Sequence, residues 1–306
     1  MSGLIAEPGL YANIHPDAYH GQLTATPSIS RSIAHDIVTS CEAKAWWNSY
    51  LNPQRPPEKA EFNLGRYAHL IVLEQDRFDK VAVVIDADDF RTKEAKAARD
   101  RAFNEGKWPM LPKHRDLLAD MADALTHNKE ARDLLAGSTF EQTIVARDPV
   151  TGLMLKARPD GLREADELML DYKTCSSALL GEFMKRAWEH GWYIQEPWYR
   201  DAYELATGKQ IRRFKFICQE VEAPYLIGVH QINMAHTEYG RMHARIGINR
   251  WAEALARNVF PGYPGGVGDL PGYAIWQLKT EEDGGRLEPG NPSAKLLEAA
   301  KAWQAR

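Results

Sequence analysis

The stretch "ARPDGLREADELMLDYKTCSS", residues 157–177, decides how the chain is read. Two apolar runs, "LMLKARPDG" (153–161) and "ELMLDYKT" (167–174), flank a polar turn, the pattern of two strands. Asp160 precedes a turn glycine, whereas Asp171 and Lys173 interrupt a run that otherwise reads as buried. Strand side chains alternate, so Asp171 and Lys173 share one face and Tyr172 takes the other. If 153–159 and 167–173 pair as a hairpin, Asp160 falls near the end of the pair and all three groups converge. Two carboxylates that close raise each other's pKa unless a cation lies between them. A divalent ion with hard oxygen ligands, Mg²⁺ or Mn²⁺, resolves that conflict. A lysine beside it holds a water and stabilises negative charge on a phosphorane-like transition state. The same residues also fit a capped turn followed by an edge-strand ion pair, and only the rest of the chain distinguishes the two.

Downstream, helical spacing runs from 176 to about 207. "RRFKFICQEV" and "YLIGVHQI" then read as strands, and a helix of about twenty residues starts near 236. Upstream, "FEQTIVARD" (140–148) alternates as one strand ahead of the turn "PVTG". Residues 1–27 read as irregular, and "SISRSIAHDIVTSCEAKAWWNSYL" (28–51) as one helix capped by Ser28 or Ser30. "FNLGRYAHLIVLEQ" (62–75) is spaced for a buried helix, "KVAVVI" (80–85) for a strand, and 86–107 and 112–137 for charged helices. The tail is Gly- and Pro-rich and ends in an amphipathic stretch, "SAKLLEAAKAWQAR" (293–306). No linker divides two cores. The expected organisation is a single domain over 1–275, with an irregular and helical lead-in over 1–61 and a tail over 276–306.

The 306 residues are 44% hydrophobic and 26% charged, a composition of ordinary globular chains. Cys41, Cys175 and Cys218 are too few for a zinc or iron–sulfur site. The opening residues lack a secretory pattern, so a cytoplasmic protein is expected. A formal charge of −4 weighs against a nucleic-acid partner, yet "KQIRRFKF" (209–216) and "RMHARIGINR" (241–250) are locally basic.

The spacing "RPDG…DYKT" resembles the PD-(D/E)XK nuclease superfamily. "YIQEPWYRDAY" is similar to the Q-x-x-x-Y element of its RecB-type branch, and "FNLGRYAHLIVLE" to that branch's G-x-x-x-H-x-x-x-L-E segment. With "ISRS", "FEQTIVARDPVTGLMLKARPDG" and "QEVEAPYLIGVHQI" in order, the chain looks like the exonuclease VIII (RecE-type) domain of phage recombination systems. The resemblance implies an α/β fold with a restriction-endonuclease-like core, a central mixed β-sheet flanked by helices. It implies Asp160 and Asp171 as metal-binding carboxylates and Lys173 as the catalytic lysine. His69, Glu141 and the Tyr172 backbone carbonyl would add to the metal site, for one or two Mg²⁺ or Mn²⁺ ions. Gln195 and Tyr199 would orient the site or contact DNA. The implied activity is processive 5′→3′ digestion of linear double-stranded DNA, leaving 3′ overhangs for a single-strand annealing protein. Related enzymes suggest a ring-shaped homo-oligomer, trimer or tetramer. Ser30, Arg31 and Ser32, at a helix start, would bind a 5′-phosphate. Pro197 departs from the pattern, and the expected remedy is a helix break at Gly191 that leaves Pro197 in a first turn. An endonuclease of the same fold and a catalytically silent DNA-binding protein are the rival readings.

Overall fold

A computed structural model describes residues 3–55 and 63–265, and the tail helix expected over 293–306 lies outside them. Met1–Gly262 forms one compact unit, and Tyr263 begins a second. The first part of the chain forms β1 (Gly9–Tyr11), α1 (Pro16–His20), β2 (Ser28–Ser30), α2 (Arg31–Thr39) and α3 (Glu42–Asn48). Next come α4 (Leu64–Leu73), α5 (Gln75–Val81), β3 (Ala82–Val84), α6 (Lys93–Asn104) and β4 (Trp108–Met110), followed by α7 (Pro112–His127) and α8 (Lys129–Leu135). The centre is β5 (Thr139–Phe140), β6 (Thr143–Arg147), β7 (Met154–Ala157), β8 (Gly161–Arg163) and β9 (Leu168–Cys175). Then follow α9 (Leu180–Glu189), α10 (Trp192–Thr207), β10 (Arg213–Glu220), β11 (Ile227–His230) and α11 (Met234–Arg257). This is the mixed α/β core expected, with helices flanking mixed sheets.

There are two larger sheets, and the chain passes between them at β5–β6 and again at β7–β8. One has the order β1-β6-β7-β2, the other β11-β10-β9-β8-β5, and β3 pairs with β4 apart from both. Thr139↔Leu162 and Phe140↔Gly161 belong to the second sheet, Ile144↔Ala157 and its neighbours to the first. The register is the same on both sides of the change. One long antiparallel ladder therefore bends between sheets, and continuing it places Glu141 opposite Asp160. Glu141 takes a left-handed φ of 55° at the bend, and its N–H donates to the Asp160 carbonyl at 3.2 Å. Glu141 thus sits in a kink between two strands, where one continuous strand over 140–148 was expected.

The hairpin expected between 153–159 and 167–173 does not form, because the bend hands the pairing to β8. Gly161↔Leu170 and Arg163↔Leu168 pair antiparallel, and continuing that register puts Asp160 opposite Asp171. Glu141, Asp160 and Asp171 thus form one row across three strands. On its other side β9 is paired with parallel β10 along its whole length. Past Leu170 the β8 edge of β9 is unpaired, and the candidate site occupies that gap.

Two hydrophobic cores follow from the alternation of β9. Met169 and Cys175 face the core built with α2, α9, α10 and α11, while Leu168, Leu170 and Tyr172 face the one built with α4, α7 and α8. The helix expected over 28–51 is instead a strand and two helices. Ser28–Ser30 pairs in parallel with β7, and Ser30 is the N-cap residue of α2, as expected, though its hydroxyl makes no capping bond. Thr39 Oγ1 bonds the His35 carbonyl at 2.7 Å and Cys41 is extended, ending α2. Residues 1–27, expected to be irregular, contribute β1 and α1.

The break before α10 stands where expected, at Gly191 with φ 69°. Pro197 is the sixth residue of that helix, one turn deeper than expected. Its missing N–H would have bonded the Tyr193 carbonyl, and that oxygen faces Gly240 of α11 instead. A Cβ on Gly240 would lie 1.8 Å from it. The close crossing of α10 and α11 therefore depends on a bare glycine, and a Cα–H stands where an amide would. Gly240→Ala should destabilise the protein by at least about 1–3 kcal/mol, the usual cost of overpacking. A denaturant midpoint equal to the wild type would show that the helices are not pressed together there.

Candidate active site

Each group of the site is delivered by a different element. Asn63 caps α4, its side chain accepting from Arg66 N at 3.1 Å. Gly65 lets this first turn approach β9, since a Cβ there would meet Thr174 Oγ1 at 3.0 Å. One turn later His69 reaches the acid row: Nε2 lies 2.6 Å from Asp160 Oδ2, and Nδ1 lies 3.5 Å from Glu141 Oε1. The Tyr172 N–H donates to the same Asp160 oxygen at 2.6 Å. In a strand the carbonyl of a residue points to the same edge as its N–H, so the Tyr172 carbonyl faces the Asp160 side. Its ring lies on the opposite face, donating to Gln219 Oε1 at 2.6 Å.

Asp171 is buried and differently engaged. Lys173 Nζ meets Oδ1 as an ion pair, off the direction of a hydrogen bond, and Gln195 Nε2 donates to Oδ2. Lys173 also lies 5.4 Å above the Trp192 ring. Tyr199, one turn beyond Gln195, is buried beside the site and packs on Phe214. His69, Glu141, Asp160, Asp171, Lys173, Gln195 and Tyr199 open onto one cavity of about 570 Å³, whose wall also includes Ser30, Arg31 and Ser32 at the start of α2. Arg31 Nη1 is spent on the His190 carbonyl at 2.8 Å. Of the residues singled out from sequence, the Tyr172 ring alone points elsewhere.

The sequence model of a family described as "PDDEXK-like domain of unknown function (DUF3799)" matches residues 30–268. The chain belongs to that family. No curated protein matches it. A solved structure from Eubacterium rectale, titled "putative exonuclease", aligns with a TM-score of 0.56 over 85% of this chain and 96% of that one. Its sequence identity is 12%, so this is a likeness of fold.

In this PDDEXK-like domain the electrostatics of the row are unbalanced toward acid. Burial and the neighbouring Asp160 push Glu141 up to about 7, against His69 and Arg158. Burial and Asp160 likewise push Asp171 up to about 6, against Lys173. Burial opposes a charge on His69, but the Asp160 and Glu141 carboxylates prevail and raise it to about 9. Burial also works against ionised Asp160, and there the His69 contact and Lys173 prevail and lower it. Protons and His69 thus carry out the neutralisation that a cation would otherwise perform.

The donors fit a hard divalent cation. One atom each from His69, Glu141 and Asp160 lie within 4.8 Å of one another, the one such group among the described residues. Buried Gln195 Oε1 has no hydrogen-bond partner, and Asp171 Oδ1 has only its ion pair. Asp171 lies outside the His69–Glu141–Asp160 group, turned toward Lys173 and Gln195.

Sequence reasoning missed the basic residues that line the same cavity, Arg55, Lys156 and Arg158. Lys156 is buried, donates to the Tyr19 and Gly21 carbonyls at 2.6 and 3.3 Å, and lies 4.8 Å from the Tyr50 ring centroid. Burial, helped by Arg55 and Arg158, lowers it to about 8. Arg158 lies under the Tyr19 ring at 4.4 Å and bonds Thr143 Oγ1. The signal was available: both are cations inside the apolar run 153–157 and its exit. No helix among the described residues is long and apolar enough to cross a membrane.

Proposed function

We propose that the protein is a divalent-metal-dependent exodeoxyribonuclease acting on ends of double-stranded DNA. The observation that carries this reading is the convergence of Asp160, Asp171, Lys173 and His69 on one cavity that is also lined by Arg31, Arg55, Lys156 and Arg158. His69, Glu141 and Asp160 would hold Mg²⁺ or Mn²⁺, with Asp171 and the Tyr172 carbonyl on the neighbouring edge available to one or two ions. Bound there, such an ion supplies Lewis-acid polarisation of a phosphate and a water acidic enough to ionise near neutral pH. Lys173 sits where it can donate to the attacking water or to a non-bridging oxygen. Gln195 fixes the Asp171 carboxylate and so fixes Lys173, while Arg158 and His69 hold Glu141 in the row. The basic residues Lys156, Arg55 and Arg31 suit the phosphates that flank a scissile bond. Ser30, Arg31 and Ser32 would take a terminal 5′-phosphate.

Digestion in the 5′→3′ direction, a processive ring of three or four subunits and a single-strand annealing partner follow from the RecE-type resemblance. A cytoplasmic setting suits such a role. The test is Mg²⁺-dependent digestion of linear duplex labelled at either end, beside covalently closed circles. Loss of label from the 5′ ends first, with circles intact, is the expected result. Efficient cutting of closed circles would favour an endonuclease of the same fold, and no hydrolysis with Mg²⁺ or Mn²⁺ would overturn the catalytic reading.

A further inference from the structure

Where α9 meets α10, three near-parallel rings cluster, two of them exposed at the surface. Trp188 lies on Tyr193 with centroids 5.1 Å apart and planes inclined by 20°. Tyr239 of α11 runs nearly parallel to both, 6.3 Å from Trp188 and 6.1 Å from Tyr193. His243 lies 4.3 Å from Tyr239 but is tilted by 48°, outside the parallel set, and its Nδ1 lies 2.8 Å from the Tyr193 hydroxyl. Core packing accounts for Tyr193, which is buried. It does not account for Trp188 and Tyr239, which are 59% and 42% exposed. A tryptophan with one face on a ring and most of its area in water gives up much of the burial its size could provide.

The platform adjoins the catalytic row. His190, two residues past Trp188, gives its carbonyl to cavity-lining Arg31. Trp192 lies under Lys173. Gln195, which holds Asp171, is two residues past Tyr193 on the same helix and so faces the other side of its first turns. The exposed rings therefore lie at the end of α10 that carries the site. Beside them, Glu238 is paired with Arg241, and Arg31, His190 and His243 all lie near enough to His35 to act on its charge.

We propose that Trp188 and Tyr239 form a stacking platform for the bases of an unpaired nucleic-acid strand entering or leaving the catalytic cavity. The inference rests on the nuclease reading above. Near-parallel rings with an open face suit bases, because every base offers a π-face and stacking tolerates any sequence. Continuity with the cavity through Arg31 and His190 argues for the strand being processed.

The test uses the full-length protein in EDTA and a fluorescent oligothymidylate, read by anisotropy. Loss of one stacking ring typically weakens binding by roughly 5- to 150-fold, so Trp188→Ala should weaken it about tenfold or more. Trp188→Phe keeps a ring and should stay within about threefold of the wild type, whereas Trp188→Leu, with apolar bulk and no π-face, should fall with alanine. A wild type that does not bind the oligonucleotide, or a Trp188→Ala/Tyr239→Ala double variant with unchanged affinity, would overturn the platform. So would a Trp188→Leu variant equal to the wild type. Unchanged affinity combined with loss of self-association by light scattering would assign the rings to a subunit contact instead. Hydrolysis by the wild type is measured separately. Ring-dependent binding without cleavage would remove the nuclease reading, and cleavage with ring-independent binding would remove the platform alone.

Discussion

Asp171→Asn should lower Mg²⁺-dependent hydrolysis of linear duplex by on the order of 10³-fold or more, the scale of losing a preorganised charged group at a reacting phosphate. Asparagine keeps the size of the side chain and removes its charge. Lys173 then loses the counter-charge that holds Nζ over the cavity, and Gln195 Nε2 loses a carboxylate acceptor. One substitution therefore disturbs a candidate ligand and the amine together. Lys173→Met removes only the amine, and the double variant should be little worse than either single, because groups acting as a unit are not additive. A double variant showing the full product of the two losses would mean that the residues act independently.

The same variant should not be less stable. Asp171 is buried beside Asp160, and its carboxyl is pushed up to about 6 by burial and by that neighbour. A group raised in the folded state contributes its stability below its unfolded pKa, and that contribution is lost as pH rises through the folded value. Above about pH 6 the ionised Asp171 therefore costs stability, and an amide does not. Melting in EDTA at pH 8 should place Asp171→Asn at or above the wild type. An inactive variant that also melted early would point to damage to the fold.

This cost explains which parts of the molecule could be read from the sequence. β9 was legible because period-two alternation survives two charges, and α10 because Gly191 breaks the helix before Gln195. Asp160, Asp171 and Lys173 stood out as charges in apolar surroundings. The pairing was not legible. Whether Asp160 belongs to β7 or β8 depends on a bend that moves a ladder from one sheet to another, and its one local mark is the left-handed backbone of Glu141. Glutamate carries no signal for that conformation, so "FEQTIVARD" reads as an unbroken strand. The short strand ahead of α2 was missed for a similar reason, although Ser30 stands at the N-cap as expected. "SISRS" has capping residues at helical spacing, but Ser28–Ser30 is claimed by β7, far away in sequence. Lys156 and Arg158 stand as charges in and just after an apolar run, but nothing local to that run says what would cover them. What buries both is the segment Ile14–Gly21, whose carbonyls they bond.

Arg158 carries the largest stability effect expected here. Its guanidinium is buried, gives two bonds to Thr143 Oγ1 at 3.0 and 2.7 Å, and donates to the Ile14 carbonyl at 2.9 Å. Nη1 lies 3.7 Å from Glu141 Oε2. It thus ties the bend in the ladder to the N-terminal segment and offsets the Glu141 charge. Arg158→Met keeps the apolar stem but leaves a hydroxyl, a carbonyl and a carboxylate short of a donor. Removing one partner of a buried pair costs about 3–5 kcal/mol. At roughly 2–4 °C per kcal/mol for a chain of this class, Tm should fall by about 10 °C. Lysine should recover only a minor part, because one ammonium cannot supply a planar fork to three acceptors. The loss should also depend on pH. Glu141 is already raised to about 7 by burial and Asp160, and without Arg158 it rises further. Below pH 6 the carboxyl is neutral in both proteins and the difference shrinks. Above pH 7 the wild type ionises Glu141 with Arg158 opposing the cost, while the variant meets that charge uncompensated, so the gap widens. Denaturant midpoints at pH 5.5 and pH 8 measure this, and an equal gap at both would show that Arg158 acts through Thr143 and Ile14 without help from Glu141.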